Sequence, residues 1–424
     1  MLDLKAIREN PEPFRAGMAR RGRSDELERA IALDEERRRL GTRVDELRAI
    51  VNKGSKEVGA ASSDEERKGI IEGVRTASAE LKEIEPKLAT VGEGLDTLMA
   101  QLPNIPHESS PEGETDEDAV EVRRHGEPPV FDFEARDHVE IGEMLGGIDL
   151  ERGARTSGSR FVYIEGQFVY LQFALMRYAI DTLVSHGFMP VIPPVLVRPE
   201  AMFGTGFLPG DESQIYFTRD DELCLVGTAE VPLASLHLGE ILEEAELPLR
   251  YVGCSTCFRR EAGTAGKDTR GIFRVHQFDK VEMFSFTRPE DSWEEHEMLV
   301  GIEEEIVRGL ELPYRVVNIA AGDLGGSAAK KYDIEVWLPG QQRYRELTSC
   351  SNCTDYQARR LQARVRRGDG KIETLHTLNG TASAIGRTII AVVENHQQAD
   401  GSVILPQALH QYLPENCRVL TPLS

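Results

Sequence analysis

The first hundred residues repeat apolar side chains at alternating spacings of three and four. A clear seam and a weaker partner seam follow this spacing: Leu81, Ile84, Leu88, Val91, Leu95, Leu98 and Leu102, and Leu33, Leu40, Val44, Leu47 and Val51. Heptad seams are typical of packed helices. Between them, Gly59 can end the first helix, and Ser63 with Glu66 forms a capping box for the second. The pattern predicts an antiparallel α-helical coiled-coil arm within residues 1–102, with helices roughly 45–55 Å long at about 1.5 Å per residue.

A proline interrupts this regular pattern. Pro86 lies inside the second predicted helix, and a proline there removes a hydrogen bond. We therefore expect a bend or a break near residues 82–86. Beyond the arm, residues 103–135 place several prolines among acidic residues and glycine with little periodicity, which predicts a linker.

Residues 136–424 alternate between helix-like and strand-like patterns and form the third predicted segment. The predicted helices are 168–186, 231–245, 293–309 and 381–396. The predicted strands are 189–197, 215–218, 223–226, 249–260, 273–286, 332–338 and 343–350. This order favours an α+β fold, an antiparallel sheet flanked by helices. A P-loop or a dinucleotide-binding fold is disfavoured, because neither glycine signature is present.

Composition adds limits on class and compartment. The chain has 424 residues, 40% hydrophobic and 29% charged, which fits two or three globular domains. We expect no membrane partner, because the chain lacks a run of about 18 apolar residues. The amino terminus does not resemble a secretory signal, so the expected compartment is the cytoplasm. The net charge of −22 argues against indiscriminate nucleic-acid binding but allows a local basic stripe.

The six cysteines include two Cys-x-x-Cys pairs, Cys254 with Cys257 and Cys350 with Cys353. Their separation is much greater than the roughly 15–20 residues of a compact zinc ribbon. Cys254 and Cys257 also fall in a predicted strand, where positions i and i+3 face opposite sides. We therefore expect reduced, mostly buried thiols and no structural zinc.

The most informative stretch is residues 258–282. On a strand, Arg259 and Glu261 would share one face, and a polar, glycine-rich loop follows them. Arg274 and Phe278 then bring a second cation and an aromatic ring. A cation for phosphate, an acceptor for an exocyclic amine and a ring for stacking predict a nucleotide site. The alternative is a surface hairpin with solvated charges.

Three further clusters accompany this hairpin: a polar turn at 227–230, a strand at 344–353, and 378–388 at the start of an apolar helix. With the helical arm, these motifs resemble bacterial seryl-tRNA synthetase, a class II aminoacyl-tRNA synthetase, over essentially the whole chain. The resemblance implies a serine–tRNA ligase that activates serine with ATP and transfers it to the 3′ end of tRNA-Ser, and also of tRNA-Sec.

The resemblance also implies roles for the nucleotide-binding residues. Arg259 would hold the α-phosphate and the serine carboxylate, and Arg387 would reach the γ-phosphate. Glu261 would accept from the adenine amine, and Phe278 would stack on the base. Glu346 and Ser349 would ligate Mg²⁺. The implied ATP-binding set is Arg259, Arg260, Glu261, Arg274, Val275, Phe278, Glu346, Leu347, Thr348, Ser349 and Arg387, with Arg259, Arg387 and Glu346 as the catalytic residues.

For the amino acid, the resemblance places the serine amino group at Thr228 and Glu230 and its hydroxyl at Glu282 and Thr381. The implied serine-binding set is Thr228, Ala229, Glu230, Arg259, Glu282, Asn379 and Thr381. The arm would grip the variable arm of tRNA-Ser, and the helix before His186 with the strand after it would build a homodimer.

The chain departs from the family at residues 381–383, where Thr-Ala-Ser stands in place of the more usual Ser-Gly-Leu. Thr381 adds a methyl group, Ala382 replaces a flexible glycine, and Ser383 adds a polar group that we expect near the amino-acid pocket. An inhibitor-insensitive duplicate of the housekeeping enzyme is therefore a second hypothesis. A non-catalytic tRNA-binding paralogue and a ligase that loads a carrier protein are two further alternatives.

Overall fold

The computed structural model describes residues 1–263, 268 and 270–423. It divides into two compact units, one of Leu2–Leu102 and one of Met1 with Pro103–Ser424. Within the described residues, none of the helices has the length and apolarity needed to cross a membrane.

The helices are α1 (Leu4–Glu9), α2 (Glu12–Arg20), α3 (Ser24–Glu57), α4 (Asp64–Gln101), α5 (His138–Met144), α6 (Leu150–Ser157), α7 (Gln167–Ser185), α8 (Pro199–Thr205), α9 (Glu230–Ala234), α10 (Ser292–Gly309), α11 (Tyr356–Leu361) and α12 (Ile385–Asn395). The strands are β1 (Val120–His125), β2 (Ile148–Asp149), β3 (Tyr163–Ile164), β4 (Met189–Val191), β5 (Leu196–Val197), β6 (Tyr216–Phe217), β7 (Cys224–Leu225), β8 (Ile241–Glu243), β9 (Leu249–Phe258), β10 (Gln277–Thr287), β11 (Tyr314–Asn318), β12 (Lys330–Leu338), β13 (Arg343–Asn352), β14 (Arg364–Arg366), β15 (Ile372–Thr374), β16 (His376–Ala384), β17 (Val403–Ile404) and β18 (Val419–Leu420).

In the amino-terminal unit, α3 and α4 form the predicted long helical pair. Seam residues from both helices are buried, among them Val44 and Leu95. Ser63 accepts a hydrogen bond from the backbone N–H of Glu66 (3.2 Å), which satisfies one of the free donors at the start of α4. The short helices α1 and α2 precede the pair.

Of the bend or break predicted near residues 82–86, the break is wrong. Helix α4 continues from Asp64 to Gln101 with Pro86 inside it. A proline at this position forfeits one backbone hydrogen bond and costs about 3 kcal/mol. Burial of seam side chains such as Leu95 and Leu98 against α3 offsets that cost, because each fully buried Leu contributes roughly 1.5–3 kcal/mol.

The second unit is built on an eight-stranded sheet in the order β1-β11-β12-β13-β16-β10-β9-β4. Its strand pairs are antiparallel, apart from β4, which joins β9 in parallel at one edge. Strand β1 forms the other edge and lies within residues 103–135, for which the sequence predicted a linker. Its side chains are exposed throughout, so β1 lacks the alternating burial by which strands are identified in a sequence.

Apolar clusters lie on both faces of this sheet. One cluster joins α7, α10 and α12 to residues such as Val281 and Met283 of β10. The other joins α9 and α11 to Phe284 and Phe286 of the same strand. Alternate side chains of β10 therefore enter different clusters, as the two-residue period of a strand requires.

Three local predictions are corrected by the structure. Strand β9 ends at Phe258 and β10 begins at Gln277, so Arg259, Glu261 and Arg274 lie on the connection between strands. The argument that Arg259 and Glu261 share a strand face is therefore wrong; Glu261 has a left-handed φ of 49°. Residues 264–267 and 269 of the predicted polar loop lie outside the described residues.

The other two corrections concern predicted helices. Strand β16 continues to Ala384 before α12 begins, so residues 381–384 are strand because they pair with β10. The predicted helix 231–245 ends at Ala234 as α9. Gly239, at φ 76°, turns the chain, and β8 then pairs in parallel with β14.

Candidate active site

Residues from the hairpin, β13, β16 and the start of α12 meet around one cavity of about 190 Å³. Eleven of the predicted site residues line it: Arg259, Glu261, Arg274, Val275, Phe278, Glu346, Leu347, Thr348, Ser349, Thr381 and Arg387. The lining also includes Ile272, Phe273, Lys280, Ala384 and Gly386, which were not among the predicted site residues. Arg260 is not part of the lining; its guanidinium lies 5.8 Å from the ring centroid of Tyr216.

The alternation of β10 explains one side of the cavity. Phe278, Lys280 and Glu282 occupy every second position of the strand and therefore share a face. Lys280 forms an ion pair with Glu282 (2.5 Å), and both side chains are buried. The position of Lys280 between two predicted site residues was the signal that could have identified it.

Two β-bulges explain the other side. Glu346 pairs with Glu335 and Thr348 pairs with Ile334, which leaves Leu347 as an extra residue. Across a bulge, positions i and i+3 can face the same way, and Glu346 and Ser349 both line the cavity.

A second bulge lies in β16. Glu282 pairs with Thr381 and Val281 pairs with Ser383, so Ala382 is the extra residue. Thr381 and Ala384 consequently both face the cavity. Ala382 is not among the residues with positive φ, so this bulge does not require glycine.

Arginines lie against aromatic rings in and beside the cavity. The Arg259 guanidinium lies 5.2 Å from the ring centroid of Phe278. The guanidinium groups of Arg345 and Arg387 lie 4.1 Å and 4.6 Å from the ring centroid of Phe273. Each pair places a cation against an aromatic face. Phe273 lies in the turn before β10, whereas its position at the start of the predicted strand 273–286 gave no indication that it lines the cavity.

A buried histidine–glutamate pair contacts the turn that carries Phe273. His138 Nδ1 lies 2.9 Å from Glu394 Oε1, and the Ile272 N–H donates to His138 Nε2 (3.3 Å). Since Nε2 accepts, the neutral ring must donate from Nδ1 to the carboxylate. Gly271 passes so close that a Cβ there would lie 1.9 Å from His138 Nε2. The pair thereby sets the backbone position of the turn that carries Phe273.

The pKa of Glu346 is set by opposing effects. Desolvation alone would raise its pKa, but Arg387 and Lys331 outweigh this and hold the pKa of Glu346 at about 2. Arg387 Nη1 lies 3.1 Å from Glu346 Oε2. An anionic carboxylate and the Ser349 hydroxyl on the same wall are oxygen donors of the kind Mg²⁺ prefers, so these residues fit the implied metal.

Next to the cavity, Glu230 and Glu282 form the predicted amino-acid side. Desolvation, with a smaller contribution from Glu282, raises the pKa of Glu230 to about 7. Desolvation also raises the pKa of Glu282, opposed by Lys280. Thr381 Oγ1 donates to Glu282 Oε2 (3.4 Å), and Asn379 Nδ2 donates to Glu230 Oε1 (3.2 Å).

Of the predicted turn before α9, Thr228 Oγ1 accepts from the Glu230 N–H (3.1 Å). Ala229 packs into the apolar cluster under α9. Glu230 is thus held by its backbone from one side and by Asn379 from the other.

The family departure at residues 381–383 has a smaller effect on the cavity than its composition suggests. Ser383 is buried, and its hydroxyl lies 3.0 Å from that of Thr388 on α12. The prediction that Ser383 adds a polar group near the amino-acid pocket is therefore wrong, because the bulge at Ala382 turns it away. The methyl group of Thr381 remains as the change in the cavity wall.

Two family models match the chain and identify the class of its core. The model of the tRNA synthetase class II core domain (G, H, P, S and T) matches residues 216–396, so the catalytic core is that of a class II aminoacyl-tRNA synthetase. The model of the seryl-tRNA synthetase N-terminal domain matches residues 1–106.

Full-length relatives then give the family. The serine–tRNA ligase of Thermobifida fusca is 49% identical over 425 residues, which is 100% of both chains. That of Rhodococcus jostii is 50% identical over 410 residues, 96% of this chain and 97% of the relative. The chain therefore belongs to the seryl-tRNA synthetase family, and its function is the ligation of serine to tRNA.

Solved structures agree with this assignment. Seryl-tRNA synthetase from Pyrococcus horikoshii, crystallised with ATP, superimposes with a TM-score of 0.93 at 43% identity and covers 100% of both chains. The cytoplasmic serine–tRNA ligase of Naegleria fowleri, crystallised with AMP, superimposes with a TM-score of 0.88 at 35% identity, covering 100% of this chain and 99% of that one.

Proposed function

We propose that the cavity between β10, β13, β16 and α12 binds ATP, and that serine binds next to it against Glu230 and Glu282. The observation that carries this proposal is that residues from three separate stretches, such as Arg259, Glu346 and Arg387, line one cavity. The ATP and AMP in the two similar crystal structures support it.

In this proposal the nucleotide is held mainly by fixed charges. Arg259 binds the α-phosphate and the serine carboxylate, and Arg387 binds the γ-phosphate. Guanidinium groups suit both contacts because they stay protonated and grip two oxygens. Glu261 accepts from the adenine amine, and Phe278 stacks on the base with Val275 against the nucleotide.

Glu346 and Ser349 would hold a Mg²⁺ ion, which when bound neutralises phosphate charge. Arg387, within reach of Glu346, fixes the direction of that carboxylate. The serine carboxylate oxygen attacks the α-phosphorus, the bond to the bridging oxygen breaks, and pyrophosphate leaves. Positioning and charge stabilisation dominate such a reaction. The seryl group then passes from the adenylate to the 3′-hydroxyl of the terminal ribose, and AMP leaves.

Serine selection falls to Glu230, Glu282 and Thr381. The Glu230 carboxylate binds the ammonium group together with Thr228, and Glu282 accepts from the substrate hydroxyl. A site built to hydrogen-bond a hydroxyl can reject analogues that lack it by roughly 10⁴–10⁵. Alanine and glycine would leave the buried Glu282 without that partner.

The arm of α3 and α4 would bind tRNA-Ser through basic side chains of the first unit, since RNA helices are recognised by shape and backbone contacts. The most direct test is aminoacylation of tRNA-Ser with and without its variable arm, with tRNA-Sec as a second substrate. Removal of the variable arm should impair aminoacylation and leave serine-dependent ATP–pyrophosphate exchange unchanged; equal aminoacylation of both tRNAs would contradict the role of the arm.

A homodimer and a cytoplasmic location complete the proposal. Tyr170 and Phe173 of α7 are 51% and 61% exposed, and Met189 and Ile192 near β4 are 54% and 90% exposed. An apolar surface of this kind favours association. Sedimentation should give a dimer for the wild-type protein and a monomer for Phe173→Glu; a monomeric wild type would contradict the proposal.

The inhibitor-insensitive copy keeps one observation in its favour, the methyl group of Thr381 beside Glu282. Inhibition by a seryl-adenylate analogue tests it, with Thr381→Ser as the comparison. Equal inhibition of both enzymes would remove this second candidate.

A further inference from the structure

We infer that Gln357 is a positioning residue for amino-acid recognition, because its side-chain amide holds the Glu230 carboxylate in the orientation that receives the substrate ammonium group. The inference rests on the proposed role of Glu230. Gln357 lies on α11, outside the predicted site residues, and is completely buried.

Only one orientation of this amide satisfies all of its hydrogen bonds. Gln357 Nε2 donates to Glu230 Oε1 (2.7 Å) and to the carbonyl of Thr205 (3.1 Å). Gln357 Oε1 accepts from the Thr377 hydroxyl (2.8 Å). Both partners of the nitrogen are acceptors, so a flipped amide would bring its oxygen against a carboxylate and a carbonyl. The two acceptors, Glu230 and Thr205, therefore fix the orientation of the amide, and the hydrogen bond from the Thr377 hydroxyl satisfies its oxygen and holds it in place.

The two carboxylate oxygens of Glu230 differ in their hydrogen-bond partners. Oε1 receives hydrogen bonds from both Gln357 and Asn379. Within the described residues, Oε2 receives none. Two donors on one oxygen fix the carboxylate plane and leave Oε2 for a ligand. A carboxylate so prepared needs no reorganisation when the ammonium group arrives.

The choice of an amide also has an electrostatic reason. Glu230 is surrounded by Glu282 and Lys280 of β10, Arg259 after β9 and Cys353 after β13. A further cation in place of Gln357 would neutralise Glu230 and weaken its attraction for an ammonium group. The neutral amide supplies a hydrogen bond that favours the ionised carboxylate without cancelling its charge.

Gln357 also connects distant parts of the second unit. Thr205 ends α8, Thr377 lies on β16 and Glu230 begins α9. Their shared partner is a single side chain at the centre, so the position of Glu230 depends on an element that does not reach the cavity.

The test is steady-state ATP–pyrophosphate exchange with Gln357→Met, which keeps the length and removes the hydrogen bonds. Hydrogen bonds to a charged group predict a KM for serine that is roughly 10–100-fold higher, with the KM for ATP changed less than about 2-fold. Gln407→Met, an exposed glutamine replaced in the same way, is the matched control and should leave both constants unchanged. An unchanged KM for serine in Gln357→Met would overturn the inference.

A double-mutant cycle with Glu230→Gln separates this inference from the proposed function. If Glu230→Gln alone leaves the KM for serine unchanged, the proposed role of Glu230 fails, and the inference with it. If Glu230→Gln raises it, the added effect of Gln357→Met should largely disappear in the double variant. A full additive effect would show that Gln357 acts elsewhere and would overturn the inference alone.

Thr377→Val covers the case in which Gln357→Met does not fold. Valine keeps the shape of the buried threonine and frees only the amide oxygen. The KM for serine should rise in the same direction by a smaller factor, and its increase at low pH should begin at a higher pH than in the wild type. A wild-type pH profile and KM in Thr377→Val would overturn the orienting role.

Discussion

The raised pKa of Glu230 predicts how serine binding depends on pH. In the serine-free protein this carboxyl has a pKa of about 7, chiefly through desolvation and then through Glu282. Below that pH the neutral acid predominates, and it attracts an ammonium group weakly. The KM for serine should therefore fall as the pH rises through 7 and level off above it. If only the ionised form binds, the KM at pH 6 should be about 10-fold that at pH 8.

The assay is serine-dependent ATP–pyrophosphate exchange at saturating ATP between pH 6 and pH 8. Glu230→Gln is the control, because a glutamine cannot ionise; its KM should be high and nearly constant. A flat profile in the wild-type enzyme, or a KM that rises with pH, would refute the reasoning.

Three further substitutions test other parts of the site. Lys280→Met removes the ion-pair partner of the buried Glu282 and should lower the free energy of unfolding in urea by about 3–5 kcal/mol. Lys371→Met, at an exposed site, should lower it by less than about 1 kcal/mol, and equal effects would contradict the buried pair. Phe278→Ala should raise the KM for ATP roughly 5–150-fold through lost stacking, and an unchanged value would exclude Phe278 from the base site. Gly271→Ala should raise the KM for ATP by about 10-fold or more, since its Cβ would displace the turn at His138. Gly239 has a similar φ but open space around an added Cβ, so Gly239→Ala should leave that KM unchanged. Equal effects of the two substitutions would point to backbone strain alone.

The parts of the fold that repeat a simple period were predictable. The heptad seams indicated α3 and α4, and the antiparallel sheet with flanking helices followed from the order of the later elements. Strand alternation could also have identified Lys280 between Phe278 and Glu282. Pro86 misled the prediction, because tertiary packing can outweigh a local cost of a few kcal/mol.

The rest depended on contacts between distant residues. The bulges at Leu347 and Ala382 reverse which side chains face the cavity, and a bulge is a property of strand pairing that a single strand does not display. His138 and Glu394 are 256 residues apart. Gln357 contacts Glu230 across 127 residues. No local pattern indicates such partners, so the supporting groups of the site emerged only from the structure.

Exchange with each amino acid in turn tests the central claim most directly. With purified wild-type protein, ATP–pyrophosphate exchange should depend on serine and remain near background with alanine, glycine, cysteine and threonine. Arg259→Ala should abolish the serine-dependent rate. Exchange driven equally well by another amino acid, or no exchange with serine, would contradict the account.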